Sequence, residues 1–265
     1  MASESDAPPT WGAQLTRAAR ILAAAGSPAP REEAAEMLSH LLGVPLSELL
    51  AWPASSMRQS DVATYAAWVA RRAAGEALAR ITGHLEFMGL DIVVGQDGLL
   101  APSGAQRLVE TALQWARRRA PGELSAAEVS AGCGAVALAL AALEPRFTRI
   151  YAVESSPPAL EAARANGARY LLNLVISWLE GEGLDTVPEP VDLIVCSQPG
   201  WTDLERAPAK LRPGGALICA VDAAQRPRVD ELLVRGLSMA PAWVEGQGDE
   251  PALVVAQLWR DHEGG

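Results

Sequence analysis

The chain reads as an α/β protein, a doubly wound and mostly parallel sheet preceded by a small N-terminal helical domain. Three observations lead there. Strand-like apolar runs alternate with helical patterns from about Leu124 onward, and that alternation is the mark of βα repeats around a parallel sheet. One of those runs, Ala126 to Val129, opens into Ser130-Ala131-Gly132-Cys133-Gly134 and then into a helix starting at Ala135 to Leu140, a strand, glycine loop and helix in succession. Upstream of residue 83, apolar residues recur at helical spacing between short Gly/Pro breaks.

Taken in order, Met1 to Thr10 is acidic and proline-bearing and is expected to be a disordered leader. Helices are expected over Leu15 to Ala25, Arg31 to Leu42, Leu46 to Leu50 and Ser60 to Ala74. They are separated by Gly26-Ser27-Pro28-Ala29-Pro30, Gly43-Val44-Pro45 and Trp52-Pro53, residues that stop helices. Residues 1–82 thus form the expected helical bundle. In the connecting segment 83–101, Leu85 to Phe87 and Leu90 to Val94, split by Met88-Gly89, read as a hairpin. The second domain, 102–265, opens with a helix from Ser103 to Arg119. Its strands are expected at Leu124 to Val129, Arg149 to Val153, Leu174 to Leu179, Val191 to Cys196 and Ala216 to Val221, with a last pair near Ala242 to Val244 and Leu253 to Leu258.

Composition narrows the functional classes. A length of 265 residues leaves room for about two domains at ~100–200 residues each. The net charge is -10 and no basic run exceeds Arg117-Arg118-Arg119, which argues against an electrostatic grip on a nucleic-acid backbone. No apolar run approaches the ~20 residues that span a bilayer, and the start lacks the layout of a signal peptide, so a cytoplasmic, reduced setting without membrane association is expected. Cys133, Cys196 and Cys219 lack metal-ligand spacing, and His40, His84 and His262 are scattered, so no metal site is expected.

The chemistry concentrates around the glycine loop. Glycines let the backbone approach a ligand without a Cβ in the way. The next apolar run ends in Glu154, twenty residues past Gly134, where an acid meets the ribose hydroxyls of a nucleotide in doubly wound folds. Gly132 to Ala137 alone also fits the G-x-G-x-x-G/A pattern of dinucleotide binders. Three further segments follow in order: Gly181-Glu182 after the third strand, the strand Asp192 to Cys196 running into Ser197-Gln198-Pro199-Gly200, and Leu211-Arg212-Pro213-Gly214-Gly215.

This order resembles a class I S-adenosylmethionine-dependent methyltransferase. Within that superfamily the similarity is to the glutamine methyltransferases of peptide chain release factors, because Arg71-Arg72-Ala73-Ala74-Gly75-Glu76 and Ile81-Thr82-Gly83-His84-Leu85-Glu86-Phe87-Met88-Gly89-Leu90 look like that family's interdomain linker. The similarity runs from about Arg31 to Trp259. It implies a cofactor site at Glu128, Ser130, Gly132, Gly134, Glu154 and Glu182, a catalytic turn at Ser197, Gln198 and Pro199, substrate contacts at Glu86, Phe87 and Gly200, and a release factor as protein substrate.

The departures from the family pattern are specific. Asn-Pro-Pro-Tyr becomes Ser197-Gln198-Pro199-Gly200, which shortens the side chain that would hold the substrate amide and removes an aromatic wall. Pro-Arg-Pro-Glu-Thr-Glu becomes Ala101 to Gln106. Glu128, Glu154 and Glu182 are each one methylene longer than the expected Asp, Ser130 replaces the first loop glycine, and Gly183 stands where a bulky residue often covers the adenine. Only Thr202 to Lys210 separate the tetrapeptide from the Leu211 turn. The expectation is a methyltransferase-like protein with weakened catalysis. A catalytically inactive paralogue that binds cofactor or protein stays open beside it, and an NAD-type oxidoreductase is disfavoured by Glu128 and by the order of segments downstream.

Overall fold

The structure, a computed structural model, describes residues 9–95, 104–197, 199–222, 224–236, 239–244 and 251–258. Its chain divides into two compact units, Met1–His84 and Leu85–Gly265.

The first unit is helical: α1 (Trp11–Ala24), α2 (Pro30–Leu42), α3 (Leu46–Ala51), α4 (Gln59–Ala73) and α5 (Leu78–Thr82). Thr10 caps α1 by accepting the Ala13 N–H at 3.3 Å, and Pro30 and Gly43 bound α2 as start and stop residues should. Pro9 and Thr10 pair with the segment around Ser56 and Met57. Leu22, Met37, Leu38, Leu49 and Tyr65 form the buried centre. Inside it the Tyr65 hydroxyl donates to the Ala34 carbonyl at 2.8 Å, and burial pushes the phenol's pKa well up. The Arg-Arg motif ties this bundle together. Arg72 forks onto both oxygens of Glu33 at 2.9 and 2.8 Å, holding that carboxyl below its usual range, while Arg71 pairs with Glu76.

From the boundary onward come the hairpin β1 (His84–Phe87) and β2 (Leu90–Val93), then α6 (Ala105–Arg117), β3 (Leu124–Val129), α7 (Ala135–Leu143), β4 (Phe147–Glu154), α8 (Pro157–Arg169), β5 (Ile176–Glu180), β6 (Val191–Cys196), α9 (Trp201–Arg206), β7 (Leu211–Val221), α10 (Arg226–Glu231), β8 (Met239–Val244) and β9 (Ala252–Leu258). The hairpin turns through Met88 at φ 54° and Gly89 at φ 83°, two left-handed residues in the form that matches strand twist. Strands β3 to β9 make one seven-stranded sheet in the order β5-β4-β3-β6-β7-β9-β8. The pairs from β5 to β7 are parallel; β9 runs antiparallel between β7 and β8.

Chain order reverses between β3 and β6, so their carboxyl ends border the crevice where open α/β sheets bind ligands. Strands β3 and β6 are buried along their whole length, which a sheet covered on both faces requires. β7 starts earlier than its sequence pattern implied. It pairs Leu211 with Val191, bulges through Arg212 to Gly215, and resumes pairing at Ala216 with Leu193. Gly215 is obligatory there, since a Cβ would lie 2.9 Å from two backbone carbonyls. Among the described residues no helix is long and apolar enough to cross a membrane.

Candidate functional site

Register places the loop and the tetrapeptide side by side. Val129 at the end of β3 pairs with Cys196 at the end of β6, so Ser130 and Ser197 leave adjacent strands at the same edge of the sheet. On the other side Val129 pairs with Val153, and Glu154 pairs with Glu180, two residues before Glu182. Thus Glu128, Ser130, Gly132, Gly134, Glu154, Glu182 and Ser197 gather at the carboxyl ends of four neighbouring strands. Pro199 and Ser197 are half-buried and Gly200 is exposed, while Gln198 lies outside the described residues.

The loop itself is tight. Gly132 and Gly134 have φ of 57° and 83°, and Ser130 takes the same left-handed conformation at φ 60°. A serine there costs on the order of 1–2 kcal/mol that glycine avoids, yet the backbone keeps a glycine-type path. Gly134 has a second reason for lacking a side chain: its Cβ would meet the Trp178 ring at 2.6 Å. That glycine serves packing as well as any ligand.

The two buried acids are both anchored. Glu154 is 2% exposed; one oxygen accepts the Gly132 N–H at 2.7 Å and the other the Ser156 N–H at 2.8 Å. Since a carboxylate offers about four lone-pair sites, each oxygen keeps capacity for a hydroxyl donor. Glu128, also 2% exposed, accepts the N–H of Ala137 at 2.8 Å in the first turn of α7. Burial strips its hydration and, with the charge of Glu154 nearby, raises its pKa from 4.5 to about 8. Glu182 by contrast is exposed. Burial lifts the Cys133 thiol to about 11, which keeps it protonated and poorly nucleophilic.

The hairpin residues have plain structural surroundings. Glu86 is exposed and accepts the Gly89 N–H at 2.9 Å across its own turn, and Phe87 is buried. Three contributors escaped the sequence reading. Asn166 on α8 is 1% exposed; its Oδ1 accepts the Val93 N–H at 2.9 Å, and its Nδ2 donates to the Val93 carbonyl at 2.9 Å and the Cys133 carbonyl at 3.1 Å, binding the hairpin to the glycine loop. Its signal was present, an amide on the stripe Ala159, Leu160, Ala163, Asn166, Gly167, where a buried polar group demands partners. Trp178, packed on Gly134, and Asp203, whose Oδ1 accepts the Leu184 N–H at 2.9 Å, gave no such sign. The rings of His40 and His84, remote in sequence, stack at 4.7 Å within the first unit. Among the described residues no group of His, Cys, Asp and Glu could hold a metal ion.

Residues 13–83 match the family described as the PrmC N-terminal domain. The chain is 32% identical over 215 residues to the release factor glutamine methyltransferase of Aliivibrio fischeri, covering 78% of this chain and 73% of that one. Its match to the corresponding protein of Vibrio cholerae is 37% identical over 164 residues and spans 62% of this chain and 56% of that protein. Among solved structures, the ribosomal protein L11 methylase of Lactobacillus delbrueckii subsp. bulgaricus superposes with a TM-score of 0.53 at 19% identity, over 64% of this chain and 84% of that one, a likeness of fold. Strand order, the glycine loop at the reversal point and the extent of these matches agree: the chain belongs to the release factor glutamine methyltransferase family.

Proposed function

We propose that this protein binds S-adenosylmethionine in the crevice between β3 and β6 and methylates a glutamine side-chain amide of a peptide chain release factor, more slowly than relatives carrying Asn-Pro-Pro-Tyr. The observation that carries the reading is the pairing of Val129 with Cys196, which sets the glycine loop and the tetrapeptide next to each other with the anchored Glu154 one strand away. The donor set suits the cofactor. Glu154 retains lone pairs for a ribose diol, Glu128 sits at the loop where a cationic methionine end would meet it and draw its buried carboxyl back toward the charged form, and Glu182 follows β5 on the adenine side.

When bound, S-adenosylmethionine supplies an electrophilic methyl: the amide nitrogen forms a bond to the methyl carbon while the carbon–sulfur bond breaks, the electron pair stays on sulfur, and the amide proton leaves to water. The chain's task is to align the nitrogen, and positioning of that kind can account for most of the rate effect. Ser197 accepts one amide hydrogen, and the carbonyl of Gln198 or Pro199 takes the second. Loss of one preorganised partner of this type costs ~10²-fold or more in rate, and Gly200 offers no aromatic wall. A release factor as substrate places the reaction in the cytoplasm, without nucleic acid or membrane as partner.

The altered turn also favours a second reading, an inactive paralogue that retains cofactor or protein binding. Transfer of radiolabelled methyl from S-adenosylmethionine to purified release factor separates the two. Slow, saturable labelling supports the enzyme, and cofactor binding without labelling supports the paralogue.

A further inference from the structure

Gly183 and Gly200, glycines at positions where the family resemblance leads one to expect bulk, lie on different loops, one after β5 and one after β6. A single carboxylate occupies the space beside both. A Cβ on Gly183 would stand 2.7 Å from Asp203 Oδ1, and a Cβ on Gly200 would stand 3.1 Å from Asp203 Oδ2. The same Oδ1 accepts the Leu184 N–H at 2.9 Å, fixing the Gly183–Leu184 peptide. Gly183 holds φ 68° and ψ -176°, a conformation open in practice to glycine alone.

The short helix α9 that delivers Asp203 is itself held in place. Leu204 is 2% exposed, and Trp201 packs against the sheet's core with the Arg228 guanidinium 4.0 Å over its ring. Trp201 therefore serves to seat α9 and does not stand in for an aromatic wall at position 200. Seated in this way, α9 has a defined position from which Asp203 reaches both loops.

We infer that Asp203 is a positioning residue that couples the adenine-side loop at Gly183 to the substrate-side turn at Gly200, and that these three residues work as one packing unit. The inference rests on the proposed cofactor site. It explains how two loops with glycines where bulk is expected keep a defined shape: the carboxylate supplies both the missing volume and a hydrogen bond. It also means that a side chain at position 200 has to push the Asp203 carboxylate aside by a few tenths of an ångström, at the expense of its hold on Leu184.

Adenosylhomocysteine affinity, measured by calorimetry on the full chain, tests this with Asp203→Ala, Asp203→Asn, Gly200→Tyr and the double variant Gly200→Tyr/Asp203→Ala. Asp203→Ala should weaken binding about tenfold, the scale of one charge-assisted hydrogen bond. Asp203→Asn, which keeps an oxygen for Leu184, should stay within about threefold of wild type, a rescue that mere loss of folding would not give. Gly200→Tyr alone should weaken binding, and the double variant should bind more tightly than the product of the single effects. Asp203→Ala binding like wild type, or effects that simply multiply, would overturn the inference. Should the wild type itself fail to bind, the proposed cofactor site falls, and thermal unfolding of Gly200→Ala, Asp203→Ala and their double variant tests the packing unit without any ligand. Coupled melting shifts sustain the unit and additive ones refute it.

Discussion

Replacing Glu128 by glutamine should stabilise the protein at alkaline pH and flatten one step of its pH–stability curve. The carboxyl is 2% exposed and titrates near 8 in the folded chain, against 4.5 when hydrated. Between those values the native protein holds a proton that the unfolded chain has released. The unfolded state then binds fewer protons, so stability declines as pH rises, being intact below about 4.5 and fully lost above about 8. At ~1.4 kcal/mol per pH unit the whole step is capped at about 5 kcal/mol, and the part between pH 6 and 8 at about 3 kcal/mol. For a chain of this size that corresponds to a melting shift of roughly 6–10 °C. The substituted amide would keep both the volume and an oxygen for the Ala137 N–H without ever carrying charge. Thermal melts of wild type and Glu128→Gln from pH 5 to 9 give the difference curve, from which the other carboxylates cancel. The wild type should lose about 6–10 °C relative to the variant between pH 6 and 9. Parallel curves would refute the assignment of a protonated Glu128 to the native state.

Other outcomes follow from the same geometry. Glu154→Ala should weaken adenosylhomocysteine binding about tenfold or more by calorimetry, and should also lower the melting temperature, because the Gly132 and Ser156 N–H groups lose their acceptor. Asn166→Leu should cost about 2–4 kcal/mol in denaturant unfolding, since the Val93 N–H and carbonyl and the Cys133 carbonyl lose their partner together. Ser197→Asn with Gln198→Pro and Gly200→Tyr should raise methyl transfer only in part, and adding Asp203→Ala should raise it further; labelling rates on purified release factor measure both.

Strands β3 and β6 were legible to the residue, because continuous buried runs between turn residues leave little latitude in a parallel sheet. The bundle helices α1 to α4 were visible in their apolar spacing and their Gly/Pro stops. Helices α5, α9 and α10, of five or six residues each, were not, because one turn or so carries little period to detect; α3, equally short, was marked out by the breaks Gly43-Val44-Pro45 and Trp52-Pro53 on either side of it. Within the site, the loop, its acids and the tetrapeptide were readable as an ordered set of segments. What the chain order hides is where side chains turn. Nothing local says that Glu154 folds back onto the Gly132 N–H, that Trp178 closes on Gly134, or that Asp203 reaches two loops, since each depends on strand register and on the seating of α9. The segment Ala101 to Ser103 and residue Gln198 lie outside the described residues.

Methyl transfer by the wild-type protein decides whether the altered turn still works. Purified full-length chain, incubated with radiolabelled S-adenosylmethionine and release factor, should label the factor at a glutamine, with a rate ~10²-fold or more below that of a relative bearing Asn-Pro-Pro-Tyr. A rate equal to that relative's would contradict the claim that the altered turn weakens the site, and no labelling together with no calorimetric binding at millimolar S-adenosylmethionine would contradict the cofactor site itself.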